Sequence, residues 1–457
     1  SALRKASERS PSEKFRDFID NLISVINSGG DVTAYFKIKY DHYYSIAEQE
    51  QKMFLEFLGL LAETYITAFV AGPLFLITII VVLSLINQGS TMILYLTIYV
   101  IIPLSTVAFI VLLDVLSGVR EDTPVIYTTT KELKVFKEVS LLDTEESQSE
   151  LYKALKRYEK FREIKNFLRN PFKTFYETPK KVLFISAPIS LLYLSINMIL
   201  HYDSITSFKD AINLIDDYIV FSTLIILIPY AIFYELRTHK IRKLESKIPD
   251  FLKQLASINE AGLSLKDAIG IIMKSNIGVL STYVKRIWKD IEWGSPATEA
   301  LIKFEKRVRT STISRTITLI VKASEITSDI TTVLNIAAND ADTAQKLKQD
   351  RFSNMFIYII VVYISFFVFL AIVYILSAVF LSMISSSQVS ASGIATSELI
   401  STVNLESYNR LFFHAAIIQG FCSGLIAGQM GEGNLHYGFK HSIIMVVIAY
   451  IVFTLFI

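Results

Sequence analysis

The chain has 457 residues, of which 52% are hydrophobic and only 19% are charged, compared with about 25% charged residues in average soluble domains. This composition excludes a disordered, collagen-like or disulfide-stapled chain and argues against an ordinary soluble enzyme. The net charge of +2 provides no global basic field, so nucleic acid is not a predicted partner. The single cysteine, Cys422, cannot form a disulfide within the chain. We therefore predict a polytopic membrane protein with substantial aqueous parts.

Long apolar runs locate the membrane spans, because a bilayer core requires about 20 apolar residues in a helix. Residues 64–113 and 352–397 contain no charged side chain. We predict seven transmembrane helices, at about 64–87, 91–115, 182–200, 218–235, 356–383, 411–429 and 439–457.

The spans divide the chain into six segments of an all-α fold. They are a helical domain at 1–63, the first two spans at 64–115, a helical linker at 116–181, the next two spans at 182–235, a second helical domain at 236–351, and the last three spans at 352–457.

Basic residues orient these segments. Residues 1–63, 116–181 and 236–351 contain 8, 14 and 20 Lys and Arg residues, and with Lys440 they account for 43 of the 45 in the chain. The loops on the opposite side, 201–217 and 384–410, contain only Lys209 and Arg410. Because Lys and Arg are enriched in cytoplasmic loops, we predict a cytoplasmic N-terminus and an extracellular C-terminus.

The linker segment contains an amphipathic helix at about 149–169, with an apolar stripe that includes Leu151, Leu155 and Tyr158 and with lysines and arginines on most of the other faces. Such a helix can lie on anionic lipid or dock a partner. Packing against its own domain explains the pattern equally well.

The segment 236–351 has helical periodicity and predicts an antiparallel bundle of short helices. Gly262 breaks the pattern, and Ser264 is positioned to N-cap the next helix. A second hairpin closes at Gly294, with Pro296 as the favoured first helical residue and Glu299 in the first turn.

The chain repeats itself at an offset of 298 residues. Without gaps between about residues 15 and 80, Asp31 falls on Asp329, Phe36 on Leu334 and Tyr65 on Tyr363. In both copies a polar turn precedes a long helix that runs into a span, with Ser28-Gly29-Gly30 in the first copy and Thr327-Ser328 in the second. The first copy lacks the helices that contain Gly262 and Gly294. Since the chain also starts at Ser1 rather than Met, we predict that the natural protein begins upstream and that the first bundle is truncated; a half-bundle without a partner is the alternative.

Residues for catalysis are not apparent. The sequence has no phosphate-binding Gly-x-x-x-x-Gly-Lys-Ser/Thr loop, no Gly-x-Ser-x-Gly elbow and no His-Glu-x-x-His pair. We predict no catalytic residue, cofactor or metal; His414, His436 and His441 are read as interfacial or capping residues. The spans contain almost no ionisable residues, which argues against an ion-coupled transporter. A transporter nevertheless remains the main alternative, and Gly72-Pro73 interrupts one span.

Three glycines repeat at four-residue spacing in the sixth span: Gly420, Gly424 and Gly428. They give that helix a smooth face which lets another helix approach closely. The spacing is compatible with packing within the chain or with dimerisation, and we favour packing within the chain.

Several of these motifs resemble one family. Ile248-Pro249-Asp250-Phe251-Leu252, Glu260 to Leu265, and Gly294 with Glu299 resemble the cytoplasmic F domain of type II secretion and type IV pilus systems. The glycine-rich motifs resemble its archaeal branch, the archaellum or archaeal pilus platform proteins; they comprise Gly29, Gly30 and Asp31, Gly72 and Pro73, Gly431 and Gly433, and Gly438 with His441. Thr327-Ser328 departs from the Gly-Gly pattern, which suggests that this turn is structural.

The resemblance implies a non-enzymatic membrane platform, possessing cytoplasmic bundles that dock a separate hexameric secretion ATPase and feed prepilin-like subunits into a filament. It also implies a homodimer. We predict that the ATPase contacts include Lys240, Arg242, Lys243, Lys285, Arg286 and Lys289, since a basic surface complements an acidic partner. For the first three, attraction to anionic lipid explains the charges equally well.

Overall fold

The computed structural model describes residues 2–87, 91–118, 169–201, 208–326, 330–380 and 405–456, together with isolated positions between 154 and 162. Within these residues every regular element is helical, which confirms the all-α prediction. The predicted turn at 327–329 with Asp329, and most of both the helix at 149–169 and the loop at 384–410, lie outside the described residues. The chain divides into two compact units, Ser1–Leu61 and Ala62–Ile457.

The first unit is built from α1 (Ala2–Arg9), α2 (Glu13–Asn27) and the N-terminal part of α3 (Val32–Thr64). The Ser12 hydroxyl accepts a hydrogen bond from the Phe15 N–H and caps α2, as a Ser at the N-cap position does. The Asp31 carboxylate accepts from the Thr33 and Ala34 N–H groups at 2.8 and 3.2 Å and caps α3. Gly29, between these helices, has a positive φ of 70°.

The second unit contains the membrane helices and the second bundle. The helices that cross or approach the membrane are α4 (Gly72–Asn87), α5 (Thr91–Leu96), α6 (Ile102–Gly118), α7 (Pro171–Glu177), α8 (Leu183–Leu200), α9 (Phe208–Glu245), α15 (Ile330–Ile375), α16 (Leu405–Glu432) and α17 (Leu435–Phe456). Seven helical stretches are long and apolar enough to span a bilayer, which confirms the predicted number within the described residues.

Two spans contain a π-helical turn before a proline. The segment Tyr65–Ala71 precedes Pro73, and the Gly72 N–H donates to the Thr67 carbonyl, five residues back. The segment Thr97–Ile101 precedes Pro103 with the same bond pattern. Proline has no N–H and clashes with the carbonyl four residues earlier, and a wider π turn accommodates both effects. The predicted interruption at Gly72-Pro73 is therefore a local widening of a continuous helix.

The second bundle consists of short helices that end in α15. They are α10 (Ile248–Glu260), α11 (Leu265–Lys274), α12 (Ser281–Glu292), α13 (Ala297–Val308) and α14 (Ser311–Ile326). Their apolar stripes close one core with the first turns of α15; Phe251, Leu255, Phe304, Ile320 and Leu334 are all at most 1% exposed. The packing confirms the predicted helical bundle.

The turns of this bundle follow the predicted signals. The Ser264 hydroxyl accepts from the Asp267 N–H and caps α11, which confirms the prediction. Gly262 and Gly294 have positive φ values of 86° and 92°, a conformation that favours glycine. The prediction that Pro296 is the first helical residue was wrong by one position: Pro296 has an extended ψ of 146° and serves as the N-cap of α13. Glu299 in the first turn pairs with Lys303 at 3.1 Å.

Candidate functional site

The helices α16 and α17 form a tightly packed hairpin. At Gly424 an added Cβ would overlap the backbone of Ser442, and at Gly428 it would overlap the backbone of Gly438. Gly420 faces the Phe366 ring of α15, where an added Cβ would lie 3.1 Å from the nearest ring carbon. The glycine face therefore allows backbone-to-backbone contact within the chain, as predicted, because only glycine leaves room for it.

The remaining motif residues lie at the turn of this hairpin and beside it. Gly433 has a positive φ of 72° and ends α16. Gly431 packs against the Ile359 side chain of α15, and an added Cβ there would overlap that side chain. Gly438 faces the Leu425 backbone. The motif is thus the packing signature of the hairpin.

Two tyrosines at equivalent positions of the repeat bond to the hairpin. The Tyr65 hydroxyl is buried and donates to the Ser423 Oγ at 2.9 Å. The Tyr363 hydroxyl lies 2.9 Å from the Nδ1 of His441. The Ser423 Oγ also accepts from the Gln419 amide, whereas the His441 Nε2 is buried without a partner among the described residues. Both repeat copies therefore contact the same hairpin through their spans.

A charged junction lies at the turn of the hairpin and is defined by Glu432, Arg242, Lys440 and Glu235. The Glu432 carboxylate is 2% exposed and accepts from the Arg242 guanidinium at 2.5 Å and from the Lys440 ammonium. Lys440 also contacts Glu235 of α9 at 3.0 Å. The junction joins α9 to both arms of the hairpin. Removal of the Glu432 carboxylate would leave the two cations facing each other, so its loss is expected to destabilise the junction strongly.

A second ion pair joins α9 to the base of α15. The Lys348 ammonium lies 3.1 Å from the Glu245 carboxylate, which is 9% exposed, and donates to the Thr312 hydroxyl at 3.0 Å. Phe251 and Leu252 of the bundle core lie six and seven residues after Glu245 along the chain. The second bundle is therefore connected to the membrane hairpin by packed helices and two sets of charge contacts.

The predicted basic docking residues fall into two groups. Lys285, Arg286 and Lys289 are exposed on α12, and no ion pair holds them within the described part of the chain. Trp293 directly follows the last residue of the same helix. Its side chain is 90% exposed, although apolar side chains of this size are usually largely buried. We call these four residues the α12 surface. Its aromatic member was not predicted, because sequence alone does not show that Trp293 faces away from the core.

The other group is engaged near the membrane. Arg242 is bonded to Glu432, and the Lys240 ammonium lies over the Tyr176 ring at 4.9 Å from its centroid. Burial raises the pKa of the Tyr176 hydroxyl above its ordinary value. Lys243 is exposed. The docking prediction is accordingly strongest for the α12 surface.

The fold and these contacts define a multi-pass, all-α membrane protein that carries a closed helical bundle on one of its spans. A family model for the type II secretion system (T2SS), protein F, matches residues 1–80 and 251–378. The two matched segments end 298 residues apart, which is the offset of the predicted repeat. The two matched segments are therefore similar to the type II secretion system protein F family, whose members are membrane platforms in secretion and pilus-type systems and work with secretion ATPases and pilin-like subunits.

One relative is an uncharacterised protein of Methanocaldococcus jannaschii. It is 24% identical to this chain over 459 residues, and the alignment covers 98% of this chain and 69% of that protein. No solved structure matches the chain.

Proposed function

We propose that this protein is the non-enzymatic membrane platform of an archaellum or archaeal type IV pilus machine. In this function it docks a separate hexameric secretion ATPase and couples the motion of the ATPase to the assembly of prepilin-like subunits into a filament. The observation that carries the proposal is α15, one helix of 46 residues that begins in the core of the second bundle and continues through a membrane span.

The helix provides a direct mechanical path. A helix of 46 residues is about 70 Å long, at 1.5 Å per residue. Its first turns contribute Leu334, Ala337, Ala338 and Ala341 to the bundle core, and its later turns contribute Phe366 and Phe369 to the packing among the spans. A displacement of the bundle would therefore move the span as a rigid element.

The charged junction would spread that displacement to the neighbouring helices. Arg242 on α9 and Lys440 on α17 share Glu432 at the end of α16. Because the carboxylate is buried, sliding one helix past the others breaks an ion pair in a region of low dielectric. The hairpin and α9 would thus move together with α15.

We assign the second bundle to the cytoplasm, together with the N-terminus, and the C-terminus to the outside. The distribution of Lys and Arg supports this orientation. A cytoplasmic bundle would face the compartment that holds ATP, so the α12 surface is available to an ATPase.

The α12 surface has the chemistry of a docking site. Lys285, Arg286 and Lys289 supply positive charge that would steer an acidic partner. Trp293 supplies a large exposed apolar surface, the kind of side chain that carries binding energy at protein interfaces.

The proposal is tested by binding of the full chain in nanodiscs to the cognate secretion ATPase. We expect the double variant Lys285→Glu with Arg286→Glu to weaken binding by about tenfold or more and to reduce its salt dependence, since like charges across an interface are costly. Trp293→Ala is expected to raise the dissociation rate.

The matched control is Lys322→Glu with Lys346→Glu, which makes the same change in net charge on α14 and α15. These lysines are 61% and 70% exposed, and among the described residues their ion pairs are the local ones with Glu325 and Asp342. Equal weakening by both double variants would contradict docking at α12, and so would full binding after charge reversal there.

The type of filament is tested in the cell. Deletion of the gene is expected to abolish one class of surface filament. Loss of swimming would assign the archaellum, and loss of surface adhesion alone would assign an adhesive pilus. Retention of every filament would contradict the proposed function.

A further inference from the structure

We propose that a cleft beside the charged junction binds the phosphate headgroup of an anionic lipid. The cleft has a volume of about 540 Å³ and lies between α9, the base of α15 and the turn of the hairpin. We call it the interfacial cleft. Its lining includes Arg242, Glu245, Lys348, Gln349, Arg351 and Phe352.

The position of the cleft matches the boundary between water and membrane. Arg351 is the last charged residue before the uncharged run 352–397. Glu235, on α9, is the first charged residue after the uncharged run 218–234. Since both helices change from apolar to charged at this level, the cleft opens where lipid headgroups reside.

The acidic groups of the cleft lie deeper than the basic groups that pair with them. The carboxylates of Glu432 and Glu245 are 2% and 9% exposed, whereas their partners Arg242 and Lys348 are 43% and 50% exposed. The acidic groups are therefore covered by cations that keep about half of their surface free. Arg351 adds a third basic side chain to the lining. An entering ligand meets a cationic surface even though ion pairs lie beneath it.

The Arg242 guanidinium is fixed in a position suited to phosphate. It lies over the rings of Phe352 and Tyr437, at 5.5 and 5.2 Å from their centroids. A guanidinium has five N–H donors, so the bond to Glu432 leaves others for a second anion. Arginine held in this way is well suited to phosphate recognition, because its planar fork matches the oxygens.

The remaining walls suit a lipid better than a soluble anion. Ile241, Phe352 and Met355 give the cleft an apolar wall, and Phe352 is 42% exposed. A phosphate on Arg242 would place its attached chains along this apolar wall. Basic pockets between membrane helices bind anionic headgroups in the same way. The inference depends on the geometry of the cleft and not on ATPase docking.

The test measures lipid retention by the full chain purified in detergent. At equal lipid concentrations, native mass spectrometry is expected to show about fivefold more bound dioleoyl phosphatidylglycerol than dioleoyl phosphatidylcholine. The variant Gln349→Glu is expected to remove this preference. Gln349 is an exposed residue of the lining, and its replacement adds one negative charge without breaking either ion pair.

The control variant is Lys285→Gln, which makes the same change in net charge on the α12 surface. It is expected to retain the preference for phosphatidylglycerol. Equal retention of the two lipids by the unmodified chain, or the same loss in both variants, would overturn the proposal. A soluble glycerol phosphate that displaces phosphatidylglycerol at equal concentration would overturn the assignment to a lipid.

Discussion

The helices of the two repeat copies begin at equivalent positions, but the cores of the copies differ. With the offset of 298, α2 (Glu13–Asn27) corresponds to α14 (Ser311–Ile326), and α3 and α15 begin at the equivalent residues Val32 and Ile330. In the second copy Ile313 and Leu334 are fully buried. Their equivalents in the first copy, Phe15 and Phe36, are 47% and 46% exposed.

The difference shows what the shared unit can do alone. In both copies the centre of the helix pair is buried, with Ile19 and Leu22 in the first copy and Ile317 and Ile320 in the second. In the second copy α10, α11 and α12 add their apolar stripes to the same core. The shared helices therefore pack against each other, but covering their outer apolar face requires further helices, as is general for repeated units.

The largest expected contrast is between Leu334→Ala and Phe36→Ala. The first removes a fully buried side chain from a closed core and should cost about 2–5 kcal/mol in unfolding free energy. The second removes a side chain that is already half in water and should cost less than about 1 kcal/mol. Amide hydrogen exchange of the full chain measures both effects locally, in α14 and α2.

Ile336→Ala on α15 is the control for Leu334→Ala, because Ile336 is 53% exposed on the same helix. It should cost as little as Phe36→Ala. Equal losses of protection for Leu334→Ala and Phe36→Ala would mean that the two cores are equally closed, which contradicts the comparison.

A smaller contrast in unfolding free energy is expected for the equivalent tyrosines Tyr65 and Tyr363. Removal of the hydroxyl should cost more at Tyr363, although Tyr363 is the more exposed of the two. Tyr363→Phe should cost about 1–2 kcal/mol, because it leaves the imidazole of His441 without a partner among the described residues. Tyr65→Phe should cost only about 0.5–1 kcal/mol, because Ser423 still accepts from Gln419.

Thermal unfolding in detergent measures the tyrosine variants. Tyr374→Phe is the control, since no described residue hydrogen-bonds the Tyr374 hydroxyl. The thermal unfolding midpoint of this variant should equal that of the unmodified protein. A larger destabilisation by Tyr65→Phe than by Tyr363→Phe would show that burial outweighs the satisfaction of polar groups at this hairpin.

Features with local signals were predictable from the sequence. Uncharged runs of 20 residues located the spans, and Ser264 and the glycine spacing in α16 located a cap and a packing face. The repeat was predictable because hydrophobic and turn residues recur at a constant offset. Each of these signals depends on residues that are close together in the chain or in a fixed register.

Long-range partners were not predictable in the same way. Glu432 and its partner Arg242 lie 190 residues apart in the chain, and no pattern in the sequence connects them. The exposure of Trp293 and the interfacial cleft likewise depend on how helices pack. The candidate site therefore depends on tertiary contacts, which the sequence does not reveal. The fold that positions it was largely predictable from local hydrophobic periodicity.

The smallest contrast is expected between turn glycines of the two copies, which are not equivalent positions of the repeat. Gly29 and Gly262 have positive φ values of 70° and 86°, and open space surrounds an added Cβ at both. Gly29→Ala and Gly262→Ala should each cost about 1 kcal/mol, because the strain is confined to the turn. Gly72→Ala, at a helical position with ordinary contacts, should be neutral or slightly stabilising. If hydrogen exchange instead shows that Gly262→Ala costs several times more than Gly29→Ala, then the closed core constrains its turns, and the difference between the copies extends from side-chain burial to the backbone.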